Sequence, residues 1–320
     1  MQLPQALARA IESVVAEISP SALARAASDL SWEYRERETR RPQLDVNHRA
    51  AYLVTRMPAT YAVLSRVLRE ARVRVPELRI ESLLDLGAGP GTAMWAAAAD
   101  LPEISRIVLV EDSADWIAIG KELAAHAESA VFSSTEWRQG SITDSLPDEL
   151  FDVVTISYAL NELRAGERIG VAEAAWKRTG KLLVMIEPGT PAGFAHLREL
   201  RTHLLTAGAH IVAPCPHGEA CPIVGTDWCH FSQRLSRSAQ HRLAKDGELG
   251  YEDEKYAYLI FAREPVALPE ARILRHPQRH SGHVKLELCT REGLKTETIS
   301  RKHGQRYREA KKAEWGDVAP

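Results

Sequence analysis

The sequence predicts an α/β fold: a parallel sheet flanked by helices, with an N-terminal helical region and a Cys-rich insertion before the last two strands. Three observations carry this prediction. Short apolar runs rich in β-branched residues alternate with helical segments after Ile80, the first 75 residues show helical period throughout, and the Cys/Pro/His-rich sequence after Ala207 suits neither core strand nor helix. With 320 residues, 45% apolar and 26% charged, the chain has material for a full core and an appended module, which excludes disorder and collagen-like repeats. The longest apolar runs, such as Val153 to Leu160, fall far short of the roughly 20 residues that span a bilayer. Glu12 and Glu17 lie within a helical period near the start, where no apolar signal region stands, so a cytoplasmic, bacterial protein is expected.

Taken in order, Leu3, Leu7, Ala10, Ile11, Val14, Val15 and Ile18 fall on one helical face, and Ser19-Pro20-Ser21 starts a second helix. A third helix is expected from about Pro58 to Leu68, and the Arg/Glu-rich stretch Trp32 to Arg41 faces solvent or a partner. Strands are expected at Ser82 to Leu86, Arg106 to Val110, Phe151 to Ser157 and Lys181 to Glu187, with a weaker one at Glu136 to Gly140. Tyr256 to Arg263 and His283 to Cys289 read as a closing antiparallel pair. The divisions drawn are an N-terminal helical region (1–78), a nucleoside-binding core (79–207), the Cys-rich insertion (208–250), the closing strands (251–290) and a basic tail (291–320).

Asp85-Leu86-Gly87-Ala88-Gly89-Pro90-Gly91-Thr92 joins a strand to the helical run Ala93 to Ala99. Glycines permit a sharp turn and close approach of a ligand, and the helix start presents unpaired N–H groups. Glu111 ends the next strand, at the distance where an acid binds ribose hydroxyls. Thr92 stands where the dinucleotide fingerprint wants a further glycine, so a nucleoside without pyrophosphate fits better than NAD. A turn that merely connects strand to helix is the bland alternative. DLGAGPGT with its downstream acid resembles motif I of class I S-adenosylmethionine-dependent methyltransferases, which have a Rossmann-like sheet. The resemblance implies that Gly87, Ala88, Gly89 and Gly91 line the cofactor, Asp85 lies near its amino group and Glu111 holds the ribose, with Asp112 sharing that role. It also implies that Ser141 and Ile142 border the adenine.

The fourth strand runs into Tyr158, Asn161 and Glu162 at the edge where a methyl acceptor would enter. This is not the Asn/Asp-Pro-Pro-aromatic loop of amino-directed base methylation, and no cysteine stands there to attack a pyrimidine ring. Asn161 and Glu162 serve equally well as caps of the next helix. These three are the catalytic candidates.

All four cysteines lie in the C-terminal half. Cys215, Cys221 and Cys229 sit in a Pro/Gly-rich loop, with Cys289 sixty residues on. Clustered thiols in a loop too polar to be core point to a soft metal. Zinc on four thiolates, or on three with His217 or His230, and a four-iron, four-sulfur cluster both fit. The spacing is not Cys-x3-Cys-x2-Cys, which disfavours radical chemistry, and His217, His230 and His283 serve as well for hydrogen bonding near the metal as for ligation.

Net charge is −2, yet Arg272 to Lys312 holds 12 Lys/Arg against four acids, a local +8 that attracts phosphates. A solvated basic tail is the plain alternative. DLGAGPGT, SYALNEL, IEPGTPAGF, PCPHGEACP, WCHFSQR, RHSGHVKLELC and KKAEWGD together resemble the methyltransferase-like proteins associated with assembly of the mitochondrial small ribosomal subunit, and their bacterial relatives, from about residue 48 to 317. That resemblance implies a four-iron, four-sulfur cluster on Cys215, Cys221, Cys229 and Cys289 and binding to small-subunit ribosomal RNA. The sequence thus supports a methyltransferase acting on ribosomal RNA or a ribosomal protein, gripping phosphates with Arg272, Arg275, Arg279, Arg301, Lys302, Arg306, Arg308, Lys311 and Lys312. An assembly factor that binds S-adenosylmethionine and a cluster without turnover is the second reading. A zinc-containing small-molecule methyltransferase is the third.

Overall fold

The computed structural model describes residues 1–36, 44–144, 146–245 and 247–320, without the side chains of 33–36. Most of the Arg/Glu-rich stretch after Trp32 lies outside the described residues. Helices α1 (Gln5–Val14), α2 (Pro20–Glu36) and α3 (Val46–Arg74) open the chain, with Leu7, Ala10, Ile11 and Val15 of the expected face buried. Helix α3 begins well before the expected Pro58. Asp45 caps it by accepting from the His48 N–H at 2.9 Å, and Pro58 lies inside it. Proline there removes one backbone hydrogen bond. The helix runs on because Val54, Met57, Ala59 and Leu64 on both sides are fully packed, and tertiary burial outweighs local propensity.

The core follows as β1 (Ser82–Leu86), α4 (Thr92–Asp100), β2 (Arg106–Glu111), α5 (Ala114–Ala124), α6 (Ala130–Ser133), β3 (Glu136–Gln139), β4 (Phe151–Ser157), α7 (Ala165–Arg178), β5 (Thr179–Pro188), α8 (Pro191–Thr206) and β6 (His210–Ala213). Next come β7 (Phe231–Ser236), α9 (Ala239–Ala244) and β8 (Tyr251–Ala262). The main sheet has the order β3-β2-β1-β4-β5-β8-β6, with β7 on the free stretch of β8. Strands β1 to β5 are parallel and β8 is antiparallel to both neighbours. This is a doubly wound, Rossmann-like sheet with one reversed strand. Residues alternate between two cores. Leu83, Ile107, Leu109 and Val184 pack under α3 and α4, while Leu84, Leu86, Val108 and Met185 pack under α7 and α8. Ser65 and Arg69 of α3 bind the Asp100 carboxylate at 2.5 and 2.6 Å, fastening α3 to the end of α4. Among the described residues no helix is long and apolar enough to cross a membrane.

The expected closing pair does not form. Strand β8 belongs to the main sheet, whereas His283–Thr290 (β11) joins a second sheet with β9 (Ala271–Ile273), β10 (Gln278–His280) and β12 (Gly293–Ser300). The long buried run of β8 suits the middle of a covered sheet, and the strict alternation of β11 suits a sheet covered on one face. Residues 291–320 are accordingly no tail. Strand β12 pairs with β11 along its whole length, α10 (Gln305–Ala310) covers the inner face made by Val284, Leu286, Leu288 and Ile299, and Arg306 forks onto both Glu297 oxygens at 2.7 and 2.9 Å.

Arg272, 1% exposed, ties these parts together. Its Nε donates to the Pro214 carbonyl at 2.9 Å, Nη1 to the Gly316 carbonyl at 2.8 Å and Nη2 to the Glu70 carboxylate of α3 at 2.7 Å. A planar fork aimed three ways cannot be replaced by an ammonium. Removing it strands a carboxylate and two carbonyls in the interior. Arg272→Met therefore lowers unfolding free energy by about 3–5 kcal/mol in urea titration, and Arg272→Lys rescues little; a loss under about 1 kcal/mol would show the network to be dispensable.

Candidate functional site

The glycine loop is set by β1. Gly87 (φ +75°) and Ala88 both donate N–H groups to the Val110 carbonyl, at 2.9 and 3.1 Å, so the chain turns tightly over the end of β2. A Cβ at position 87 would stand 2.7 Å from the Ala159 Cβ, which only glycine avoids. Gly89 donates to Glu111 Oε2 at 2.8 Å and Ser113 to Glu111 Oε1 at 3.0 Å, so the carboxylate expected to hold a ribose also shapes the loop. Asp85 lies beneath, 1% exposed, and accepts from Thr155 Oγ1 at 2.5 Å. Burial pushes its pKa up to about 7.

Above the loop opens a cavity of about 630 Å³, within the range of cofactor sites. It sits where the strand order reverses between β1 and β4, the place such sheets bind ligands. Gly87, Gly89, Glu111, Asp112, Tyr158, Asn161 and Glu162 line it as expected. Asp85, Ala88 and Gly91 support the loop without lining the cavity, and Gly91 precedes α4. Ser141 and Ile142 do not reach it: Ser141 bonds within its own turn to Asp144 and Thr143, and Ile142 is buried in the core.

The opposite wall, unforeseen from the sequence, is α3. Asp45, Arg49, Tyr52, Arg56 and Thr60 line the cavity at steps of three and four residues, one face of a helix. That polar stripe at helical spacing was the signal available. Tyr52 packs on Trp116 with ring centroids 5.0 Å apart, Arg49 pairs with Asp115 at 3.0 Å, and Arg56 forks onto Glu254 at 3.1 and 3.3 Å.

At the far edge Tyr158 adopts a left-handed backbone (φ +58°), unusual for a non-glycine and costly by about 1–3 kcal/mol. Its hydroxyl and the Asn161 Oδ1 are buried with no hydrogen-bond partner among the described residues. Arg164 and Glu167 form the cap of α7, so Asn161 and Glu162 are not its caps. The turn carrying Asn161 and Glu162 is held from below. Glu187, 0% exposed, accepts from the Leu160 N–H at 3.2 Å, and Arg168 donates to the carbonyls of Leu160 and Leu163. Burial raises the Glu187 pKa to about 8. No His, Lys or Cys lines the cavity among the described residues.

A second, smaller cavity of about 40 Å³ is walled by Cys215, Cys221, Cys229 and Cys289, with Arg201, Arg272 and apolar side chains around them. The β6–β7 loop supplies three thiols and the end of β11 the fourth. Burial pushes the thiols of Cys215, Cys229 and Cys289 up, the last to about 12, and the neighbouring thiols add to the rise. Among the described residues no three His, Cys, Asp or Glu side chains come together to hold a single metal ion. His217 stands 3.6 Å from Cys289 Sγ by its Nε2. His230 stacks on Trp228, and His283 lies on the second sheet against His280.

The nine basic residues expected to grip phosphate divide. Arg272 is buried, Arg275 pairs with Asp227, Arg279 with Glu314 and Arg306 with Glu297. Those four are engaged within the fold. Arg301, Lys302, Arg308, Lys311 and Lys312 are exposed and form no ion pair with an acid among the described residues.

Comparison with known proteins gives three findings. The model of the family described as mitochondrial small ribosomal subunit Rsm22 matches residues 46–320. The human mitochondrial ribosome assembly protein METTL17 is 29% identical over 291 residues, covering 84% of this chain and 62% of the human protein, and the fission yeast Rsm22-cox11 tandem protein 2, mitochondrial, is 26% identical over 325 residues, covering 84% and 43%. The chain thus spans less than two thirds of these relatives. Among solved structures, the magnesium protoporphyrin IX methyltransferase of Synechocystis with bound S-adenosylmethionine aligns at TM-score 0.43 and 11% identity, over 77% of this chain and 97% of that one.

The raised pKa of Asp85 makes a test with a definite sign. Between the unfolded value near 3.8 and the folded value near 7 the folded protein holds the extra proton, so stability falls as pH rises through that window. Asp85→Asn, which still accepts from Thr155, therefore raises the thermal midpoint at pH 8, and the gain shrinks toward pH 5. A gain independent of pH would contradict the assignment.

Proposed function

The chain belongs to the family of the mitochondrial small ribosomal subunit protein Rsm22, and on that premise we propose that it is an S-adenosylmethionine-dependent methyltransferase-like protein acting in biogenesis of the small ribosomal subunit. The observation that carries the proposal is the 630 Å³ cavity at the strand-order reversal, floored by the glycine loop and closed by Glu111. When bound, the cofactor would supply an electrophilic methyl group. The chain's own residues bind and orient: Gly87 and Gly89 leave room for it, Glu111 and Asp112 accept hydrogen bonds from ribose hydroxyls, and Tyr52 and Trp116 wall off water. Tyr158 and Asn161, whose buried polar atoms lack partners among the described residues, face the acceptor. The acceptor is ribosomal RNA or a ribosomal protein.

We assign the four cysteines to a four-iron, four-sulfur cluster, with zinc as the alternative. The donor set supports this reading. Four soft thiols line one cavity, and Cys215, Cys221 and Cys289 burden Cys229 with charge once ionised, which a cationic centre would relieve. Bound there, a cluster would cross-link the β6–β7 loop to β11. It lies apart from the methyl-transfer cavity, and no residue lines both.

A second reading, an assembly factor that binds the cofactor without turnover, is favoured by one observation: among the described residues no His or Lys lines the cavity, which leaves carboxylates such as Glu162, weaker bases near neutral pH, to take a proton. Incubation with methyl-labelled S-adenosylmethionine and purified small subunits, or their RNA, separates the two. Turnover predicts label in one acceptor, lost in Gly87→Val, whose side chain would collide with Ala159. Cofactor binding by calorimetry with no transferred label supports the scaffold, and absence of binding would sink both.

A further inference from the structure

His283 and Lys285 were expected on a closing strand and Arg301 and Lys302 in a basic tail, and the structure places them along one outer face of the second sheet and at its end. Register places His280 beside His283, Gln278 beside Lys285, Lys285 beside Thr298 and His283 beside Ser300. Side chains at alternate positions share a side, so His280, His283, Lys285 and Thr298 point outward while Val284, Leu286 and Ile299 point into the core beneath. At the end of this face β12 runs straight into Arg301 and Lys302, both exposed.

Three properties decide what such a face takes. Lys285, Arg301 and Lys302 form no ion pair with an acid among the described residues, unlike Arg279 and Arg306 nearby. Glu287 is the acid on the same face, which leaves the face net positive. The His280 and His283 rings stack with centroids 4.7 Å apart and planes 17° from parallel, presenting a flat ring on an exposed edge strand. Cations flanking a stacking platform on an open sheet are what unpaired bases and their phosphates require. Duplex RNA offers phosphates but no free base faces. We propose that this face binds single-stranded RNA, the His280–His283 pair stacking a base and Lys285, Arg301 and Lys302 contacting phosphates. The proposal rests on the reading that the partner is small-subunit RNA. It names the element and the strandedness that the reading leaves open.

The test is fluorescence anisotropy of the full chain, purified without oxygen, with a labelled mixed-sequence single-stranded RNA and with the matching duplex. The wild type binds the single strand more tightly. Lys285→Glu, Arg301→Glu and Lys302→Glu together weaken binding at least about 30-fold and flatten the salt slope by about 2, at roughly 0.7 per phosphate. His280→Ala with His283→Ala weakens it about 10-fold, within the range for one stacked base, and leaves the slope unchanged. All five side chains lie on the surface, so the thermal midpoint stays at the wild-type value. Binding unaffected by either set but lost in Arg308→Glu, Lys311→Glu and Lys312→Glu would overturn the proposal while keeping the RNA reading. Equal affinity for duplex would overturn the stacking role. No RNA binding by the wild type, with binding instead to ribosomal proteins, would overturn both.

Discussion

A single buried guanidinium holds the two candidate sites in one frame. Arg272 reaches Glu70 on the helix that walls the cofactor cavity, Pro214 beside the first cysteine of the loop, and Gly316 near the C-terminus. Such a group is costly to bury, and it stays buried because every direction of its fork finds an acceptor. Its strand, β9, pairs with β11 opposite Cys289. The wall of one cavity, the loop of the other and the sheet that presents its outer face to solvent therefore share one set of hydrogen bonds.

Around that anchor the protein concentrates buried polar groups in two ways. Some are satisfied and structural: Asp85 with Thr155 and Asp100 with Ser65 and Arg69. Others are left for something else to complete. Among the described residues the Tyr158 hydroxyl and the Asn161 side-chain carbonyl, both bordering the glycine-loop cavity, are buried without a hydrogen-bond partner. Native interiors seldom tolerate such atoms. Tyr158 and Asn161 stand together at one cavity, beside a strained Tyr158 backbone, while Trp95, His196 and Trp315 carry such atoms elsewhere in the fold.

Much of this was legible in the chain. The strands from Ser82 to Glu187 and the glycine turn were readable because central parallel strands are short, apolar and punctuated by glycine. The gathering of Cys289 with the loop cysteines followed from clustering and resemblance. Other features depended on pairing that sequence does not carry. Whether Tyr256 and His283 belong to one sheet is decided by long-range register, and the helix through Pro58 survives by burial against the sheet and α4. Arg272 and Arg306 look like any other cation in a basic run, yet Arg272 is consumed by Glu70, distant in sequence, and Arg306 by Glu297 on the neighbouring strand. The α3 wall of the glycine-loop cavity was marked in the sequence by a polar stripe at helical spacing, but which partner that stripe faces is set by tertiary packing.

The account's central claim is that two cavities on one frame hold two different groups, and the cysteine cavity gives the most direct test. Iron, acid-labile sulfide and zinc should be measured, with a visible spectrum, on protein purified without oxygen. The account predicts roughly four irons and four sulfides per chain, lost on replacing Cys215, Cys221, Cys229 or Cys289 by serine while binding of S-adenosylmethionine persists. Protein free of iron, sulfide and zinc, with unchanged stability in the serine variants, would contradict it.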